Sequence, residues 1–214
     1  MSLPLVLVPT PGERQVLRAA LGEGPRIELC GFGPIVAAAR TASLVREHRP
    51  SRVLLAGIAG RFGEQLAIGS AHRFAEVACH GVGVGSAAAF QPATAVGWAQ
   101  WPAAAGNDSA IGDLLACDPG TGSEPLPAGL LLTACAASAS AADVADRRRL
   151  FPAAVAEDME GFGVAVACRL AGVPLEIIRG ISNDAGDRDH GRWHVEPALE
   201  AAAAVLRTRL ACAS

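Results

Sequence analysis

Four polar side chains of this 214-residue chain lie at the ends of apolar segments: Glu13, Glu160, Arg179 and Asn183. Glu160 closes "AAVAEDME" (153–160), whereas Arg179 and Asn183 follow the apolar start of "LEIIRGISND" (175–184). Carboxylates accept hydrogen bonds and protons, and an amide or a guanidinium donates to acceptors. A sheet edge that carries these groups could bind a polar small molecule and move protons on it.

Glu160 is the most informative of these residues. It precedes "GFGVAVAC", which predicts a helix that is apolar nearly all round and therefore buried. An unpaired carboxylate is costly in such surroundings. Three alternatives stay open: it caps the helix, it accepts hydrogen bonds from an internal arginine, or it binds ligand hydroxyls. A carboxylate can accept from two vicinal hydroxyls at once, which suits the 2′,3′-diol of a ribose.

The segments that must position these residues alternate between two kinds. Short runs rich in Val, Ile and Leu predict buried strands at 3–9, 26–33, 52–60, 129–136, 153–160 and 175–182. Helical-length segments lie at 12–21, 34–48, 139–149, 161–171 and 193–212. Strands without polar alternation, separated by helices, indicate a mostly parallel or mixed sheet covered on both faces. We expect an α/β fold in a single domain, residues 1–214, because no linker or repeat divides the chain.

Ligands of open α/β sheets bind beyond the carboxyl ends of the strands, so the candidate site lies there. Four such ends carry notable residues: Glu13 after the first strand, "GIAG" (57–60), "EDMEG" (157–161) and "RGISND" (179–184). The stretch 81–128 is rich in Gly, Ala and Pro and predicts a long loop with some helix. Such a loop could form a lid or a subunit contact.

Glycine and histidine motifs elsewhere favour simpler interpretations. "GFGP" (31–34) and "GVGVG" (81–85) lack the full G-x-G-x-x-G spacing of a dinucleotide site, so they predict tight turns. His190 and His194 are four residues apart, but Gly191 disfavours a helix there and no glutamate lies between them. We therefore expect loop histidines and no metal site.

The composition argues against several functions. All 18 strong cations are arginines, so lysine Schiff-base chemistry and a Walker-type phosphate lysine are excluded. A net charge of -3 with scattered arginines argues against nucleic acid as a partner, and the arginine triplet at 147–149 predicts a solvated helix face. No apolar run approaches about 20 residues and the short N-terminal apolar segment has no basic leader, which predicts a cytoplasmic protein that binds no membrane. The six cysteines form no C-x-x-C pair and are expected to be buried free thiols.

A family resemblance is carried by "FPAAVAEDMEGFGVAVACRLAGVPLEIIRGISNDAG" (151–186). With its Met-Glu pair and its Arg-x-x-Ser-Asp/Asn segment at matching separation, this stretch resembles the signature of the nucleoside phosphorylase and nucleosidase superfamily. "CGFGPIVAAARTASLV" and "VLLAGIAG" resemble the second strand, the following helix and the glycine-rich third strand of that superfamily. Within it, "RGISN" followed by "GDRDHGRW" is most similar to the futalosine hydrolases, which cleave futalosine into hypoxanthine and dehypoxanthine futalosine in the menaquinone pathway.

The resemblance implies a role for each candidate residue. Glu13 would orient and deprotonate the attacking water, with Arg179 close by, and Asn183 would stabilise the departing hypoxanthine. Glu160 would hold the ribose hydroxyls, and three further residues would line the substrate: Met159 packs on the sugar, while the backbone of Ala59 and Gly60 lines the ribose and base. The resemblance implies no metal, no cofactor and a homo-oligomer, which we expect to be a dimer.

The chemistry of Asn183 independently favours a 6-oxopurine leaving group. Hypoxanthine presents acceptors at N7 and O6, to which an amide can donate without the ionisation of a carboxylate. The alternative is an asparagine that merely forms the turn before Asp184.

Rival functions also stay open. One is a nucleosidase for methylthioadenosine or aminofutalosine, another is a purine nucleoside phosphorylase, and a third is a non-catalytic nucleoside-binding protein. A phosphorylase needs an anion site, and Arg14, Arg40 and Arg61 form no recognisable one in the sequence. Departures from the family at Ile58, at Phe162 and in "TACAASAS" (133–140) concern the details of the purine pocket.

Overall fold

Strands and helices alternate through most of the chain in the computed structural model, which describes residues 3–102, 110–118 and 128–211. In these ranges the strands are β1 Leu5–Val8, β2 Arg26–Leu29, β3 Val53–Arg61, β4 Ala71–His80, β5 Gly83–Val84, β6 Gln91–Pro92, β7 Leu114–Ala116, β8 Ala128–Ala134, β9 Ala154–Asp158 and β10 Leu175–Asp184. The helices are α1 Pro11–Leu21, α2 Pro34–His48, α3 Ala141–Leu150, α4 Gly161–Ala171 and α5 Val195–Ala211.

The main sheet is mixed and closes on itself. Its order is β2-β1-β3-β10-β4-β8-β9, and β9 pairs back onto β3, so that β3, β10, β4, β8 and β9 form a strand ring. The pairs β1–β2, β1–β3, β3–β10, β4–β8 and β8–β9 are parallel. The pairs β4–β10, β3–β9 and β4–β7 are antiparallel. The α/β prediction with a mostly parallel or mixed sheet is confirmed.

Both faces of the sheet are covered because its central strands are apolar on both sides. Leu55 and Ile177 pack with Phe162 of α4 in one core cluster. Their neighbours Leu54 and Ile178 face the other way and join Leu206 of α5. Strands buried on two faces need no polar alternation, which is why their runs read as continuous hydrophobic segments.

The region 71–128 differs most from the sequence prediction. Strand β4 was missed, because its polar residues have partners that only the fold supplies: His72 contacts Ser70 at 2.8 Å and Arg73 contacts Glu176 at 3.4 Å. Within the predicted loop at 81–128, the structure has β5, β6, β7 and the start of β8, with short 3-10 helices at Ala87–Ala89 and Ala93–Val96. Residues 103–109 and 119–127 of that loop lie outside the described ranges.

The cysteines mostly follow the prediction. Cys30, Cys79, Cys117 and Cys168 are buried free thiols, and burial raises the pKa of each to about 12. Cys135 is also free but exposed, against expectation, and Cys212 lies outside the described residues. Among the helices of the described ranges, none combines the length and the apolar character needed to cross a bilayer.

Candidate active site

A cavity of about 790 Å³ opens at the carboxyl ends of β1, β3, β9 and β10. Six of the seven predicted site residues line it: Glu13, Ala59, Gly60, Met159, Glu160 and Asn183. Arg179 does not line the cavity. It is fully buried behind the wall, in contact with two of the acidic residues there.

The start of α1 holds Glu13 in place. Thr10 is the N-cap residue, and the carboxylate of Glu13 accepts from the backbone N–H of Thr10 at 3.0 Å and from its hydroxyl at 2.6 Å. The other carboxylate oxygen, Oε1, accepts from the backbone N–H of Ile58 at 3.0 Å. This capping box fixes the side chain without drawing it away from the cavity. Glu13 therefore stabilises the start of α1 and also presents its carboxylate to the cavity.

Asp158, Arg179 and Glu160 form a buried charged cluster. Asp158 Oδ2 accepts from Arg179 Nε at 3.0 Å and Nη2 at 2.5 Å, and Arg179 Nη2 also contacts Glu160 Oε2 at 3.3 Å. Thr133 donates to Asp158 Oδ1 at 2.5 Å, and the N–H of Gly161 donates to Oδ2 at 2.9 Å. Asp158 was not among the predicted site residues, although its position at a strand end, two residues before Glu160, was a signal.

The contacts of Glu160 decide between two of the alternatives that its sequence left open. It is the N-cap residue of α4, but its side chain makes no capping hydrogen bond there. Its carboxylate accepts from the internal Arg179 and, at 3.1 Å, from the backbone N–H of Gly33, the N-cap residue of α2. Burial raises the pKa of Glu160 to about 7, Arg179 opposes this, and the negative charge of Asp158 adds to it.

Gly57 leaves the space in which Arg179 and Glu13 approach each other. A Cβ at this position would collide with Arg179 Nη1 and would lie 2.7 Å from Glu13 Oε1. Nη1 of Arg179 is a buried nitrogen without a hydrogen-bond partner among the described residues. Because Nη1 is buried, it contributes positive charge close to Glu13 Oε1 and makes no direct contact with the cavity.

A bulge at the end of β10 orients Asn183. The pairing of β10 with β3 shifts between Ile181 and Asn183, so Asn183 comes opposite Gly60. Its Oδ1 accepts from the hydroxyl of Ser182 at 2.7 Å, and its Nδ2 donates to the carbonyl of Asp184 at 2.8 Å. One N–H of the amide is left for a ligand, because each amide nitrogen has two donors.

The remaining predicted residues form the cavity floor and wall. Ala59 and Gly60 are consecutive residues of β3, and Met159 is half-buried beside them. Of the departures from the family, Ile58 lines the cavity. Phe162 lies in the core, where its N–H donates to Thr133 Oγ1 at 2.8 Å.

A second buried ion pair lies at the cavity wall and was not predicted. Glu157 Oε1 accepts from the N–H of Ser138 at 2.8 Å, and Oε2 accepts from the Ser138 hydroxyl at 2.7 Å and from Arg147 Nη1. Arg147 is buried, so the prediction that the whole arginine triplet forms a solvated face is wrong for this residue. Its partner carboxylate lies ten residues further on, on the next strand β9, so the charge pattern within the helix does not identify it.

Aromatic and charged side chains surround the mouth of the cavity. The rings of His190 and Trp193 are 4.4 Å apart, and the guanidinium of Arg188 lies 5.2 Å from the ring centre of Trp193. In the described part of the chain, no group of three or more acidic, histidine or cysteine side chains is arranged to hold a metal ion. Arg14, Arg40 and Arg61 do not line the cavity, and Arg61 is paired with Asp184 at 2.6 Å.

Comparison with known proteins identifies the superfamily to which this fold and cavity belong. The family model of the phosphorylase superfamily matches residues 7–212, and the chain belongs to that superfamily. Among curated relatives, the futalosine hydrolase of Streptomyces coelicolor is 34% identical over 190 residues, which is 85% of this chain and 76% of the relative. A 5′-methylthioadenosine/S-adenosylhomocysteine nucleosidase of Chromohalobacter salexigens is 32% identical over 162 residues, covering 73% of this chain and 65% of that protein.

Solved structures agree on the fold. A futalosine hydrolase of Helicobacter pylori matches with a TM-score of 0.78 and 16% identity, over 98% of this chain and 97% of that one. The 5′-methylthioadenosine/S-adenosylhomocysteine nucleosidase of Neisseria meningitidis, in complex with methylthio-immucillin-A, matches with a TM-score of 0.73 and 24% identity, over 96% and 97%.

Proposed function

We propose that this protein is an N-ribosyl hydrolase that cleaves futalosine, releasing hypoxanthine and dehypoxanthine futalosine in menaquinone biosynthesis. The observation that carries the proposal is that Glu13, Glu160 and Asn183, from three separate elements, line one cavity. The 34% identity to a futalosine hydrolase over most of the chain supports this choice of substrate.

Water is the proposed nucleophile, and Glu13 is its base. In the reaction the bond between C1′ and N9 breaks, a bond forms between C1′ and the water oxygen, and Glu13 takes the water proton. Glu13 lines the cavity and can accept a hydrogen bond from a water there, while the buried Nη1 of Arg179 holds a positive charge near Glu13 Oε1 from behind the wall. General-base catalysis of this kind requires such fixed geometry.

Glu160 would bind the ribose through its 2′- and 3′-hydroxyls. Gly33 and Arg179 each contact one of its two oxygens, which leaves each oxygen able to accept once more. Met159 would pack on the sugar, and the backbone at Ala59 and Gly60 would line the ribose and base. Positive charge develops on the ribose ring in an oxocarbenium-like transition state, and the carboxylates of Glu13 and Glu160 would stabilise it.

Asn183 would stabilise the leaving base. Its free amide N–H would donate to the acceptors N7 and O6 of hypoxanthine as negative charge builds on the ring. The base then takes a proton and leaves as neutral hypoxanthine. The reaction needs no organic cofactor and no metal. We also propose a homodimer in the cytoplasm, as the family resemblance and the sequence pattern predict.

A nucleosidase for adenine nucleosides is the second candidate, because 5′-methylthioadenosine/S-adenosylhomocysteine nucleosidases are also relatives at 32% identity. A purine nucleoside phosphorylase and a non-catalytic binding protein are weaker candidates.

One assay separates all four candidates. Hypoxanthine release from futalosine is measured with and without phosphate, beside adenine release from methylthioadenosine. Phosphate-independent hypoxanthine release supports the proposal, whereas a phosphate requirement, preferred adenine release or no release contradicts it.

A further inference from the structure

We propose that Glu157 recognises the base by accepting a hydrogen bond from N1–H of a 6-oxopurine. This inference rests on the proposed function and adds a specificity-determining residue to it. Glu157 lines the cavity although it is only 5% exposed.

The register of the sheet places Glu157 opposite Asn183. Gly60 of β3 pairs with Glu157 of β9 on one side and with Asn183 of β10 on the other. Residues directly opposite one another in neighbouring strands project from the same face, and neighbouring strands lie about 4.8 Å apart. The two side chains therefore stand about 10 Å apart at their backbones, with a glycine between them. Ala185 covers Gly60 itself, but Glu157 and Asn183 both line the cavity, so a planar base bound there can present one edge to each side chain.

The hydrogen bonds of Glu157 leave it one open acceptor position. Oε2 accepts from the hydroxyl of Ser138 and from Arg147, whereas Oε1 accepts only from the Ser138 N–H. A carboxylate has about four acceptor positions, so Oε1 can take one more donor. Arg147 is itself tied to the carbonyl of Ala136 at 2.5 Å and to Ser138 at 2.6 Å. The donors on the protein side are thus fixed in place.

This arrangement distinguishes the two classes of purine. A 6-oxopurine has a donor at N1–H and acceptors at O6 and N7, which match Glu157 and Asn183 respectively. Adenine has a lone pair at N1, which a carboxylate repels. A mismatch of a buried hydrogen-bonding group costs tenfold or more in affinity. An ion pair that served only to attach α3 to the sheet would leave base selectivity unaffected.

Base binding tests the inference without turnover. Hypoxanthine and 1-methylhypoxanthine, which lacks the N1 proton, are titrated by calorimetry into the wild-type protein and into Glu157→Gln. In the variant, the amide oxygen takes the place of Oε2 and accepts from the Ser138 hydroxyl and Arg147, so the NH₂ group takes the place of Oε1 and faces the base. We expect hypoxanthine to bind at least tenfold more tightly than the methylated base in the wild type. The ratio should fall below about threefold in the variant.

Glu176→Gln is the matched control, because Glu176 is a buried acid paired with Arg52 and Arg209 far from the cavity. It should change stability and leave the ratio of the two affinities unaltered. Equal binding of the two bases by the wild type, or an unchanged ratio in Glu157→Gln, overturns the inference. Failure of the proposed function would look different: futalosine would not be hydrolysed while the base preference remained.

Discussion

Glu160 must be ionised to accept both ribose hydroxyls, yet its surroundings favour the protonated form. Burial raises its pKa to about 7, above the usual 4.5. Because the folded state binds this proton more tightly than the unfolded chain, ionisation costs stability as pH rises from about 4.5 to 7. The penalty is complete above pH 7, in the range where the carboxylate can bind ribose.

We therefore predict that kcat/KM falls as pH decreases through about 7, and that Glu160→Gln removes this limb. The variant should lose at least tenfold in kcat/KM at pH 8, since a charged hydrogen bond contributes roughly 1.5 to 3 kcal/mol. It should also melt at a higher temperature than the wild type at pH 8. A pH profile of both proteins checks this, and an active variant with the same acidic limb would return Glu160 to a structural role.

Glu13→Gln separates chemistry from folding at the other carboxylate. Glutamine at this position preserves the capping box with Thr10, so the helix should remain stable. It can still position water but cannot accept its proton, so kcat should fall about a hundredfold or more while ligand binding is retained. Single-turnover hydrolysis and hypoxanthine titration measure the two effects. Near wild-type turnover would assign the base to another group.

Asn183→Asp should shift the substrate preference toward adenine nucleosides. One aspartate oxygen would accept from Ser182 as Asn183 does, and the other would face the carbonyl oxygen of Asp184. That contact favours a protonated carboxyl whose O–H donates to the Asp184 carbonyl, so the remaining lone pairs can accept from a 6-amino group but no donor is left for O6 or N7 of a 6-oxopurine. We expect the ratio of kcat/KM for futalosine over aminofutalosine to fall at least tenfold. A ratio that does not move would show that Asn183 does not read the base.

At the scale of elements, the contact between α2 and α4 brings Gly33 to Glu160. Gly163 of α4 lies so close to Pro34 that an added Cβ would overlap the Pro34 carbonyl. Alanine in a helix is favoured over glycine by about 1 kcal/mol, but overpacking costs about 1 to 3 kcal/mol, so the clash should prevail.

We predict that Gly163→Ala lowers the melting temperature and, by moving Gly33 away from Glu160, raises KM. Thermal melts and steady-state kinetics test both effects. Gly12→Ala is the control for stability, because an added Cβ there meets no atom within 4 Å apart from its chain neighbours and the backbone of its own helix. It should be neutral or slightly stabilising. An equally stable Gly163→Ala would mean that the helices separate at little cost.

The sequence predicts the elements where the pattern is local, and it misses contacts that come from other elements. The helices at 34–48 and 161–171 have the bounds that the apolar pattern predicts. Strand β4 was missed because Arg73 is satisfied by Glu176, a residue of another strand. Glu157 and Arg147 look like ordinary surface charges until α3 packs on β9. The positions of six candidate residues around the cavity could therefore be predicted, whereas the buried pairs Glu157–Arg147 and Asp158–Arg179 could not.

At the scale of the whole molecule, an apolar surface lies at the start of α2. Phe32, Ile35 and Val36 are 64%, 81% and 54% exposed, and exposed apolar patches mark interfaces. We predict that the protein sediments as a dimer and that Ile35→Glu sediments as a monomer. Leu170→Glu, at an exposed residue near the end of α4, should leave the dimer intact. A monomeric wild type in sedimentation velocity would contradict the family-based expectation.

The strand ring has a consequence for the time course of folding. Its closure requires β3, from the first half of the chain, to pair with β10, from the second half. Pairing across such a separation costs loop entropy before any contact is gained, so it is expected to be slow. A partly folded chain with β1, α1 and β3 in place would hold Glu13 but neither Arg179 nor Asn183. Catalytic activity should thus return late in refolding, after most of the helical circular dichroism signal. The delay between the two signals would measure how long β10 takes to pair with β3.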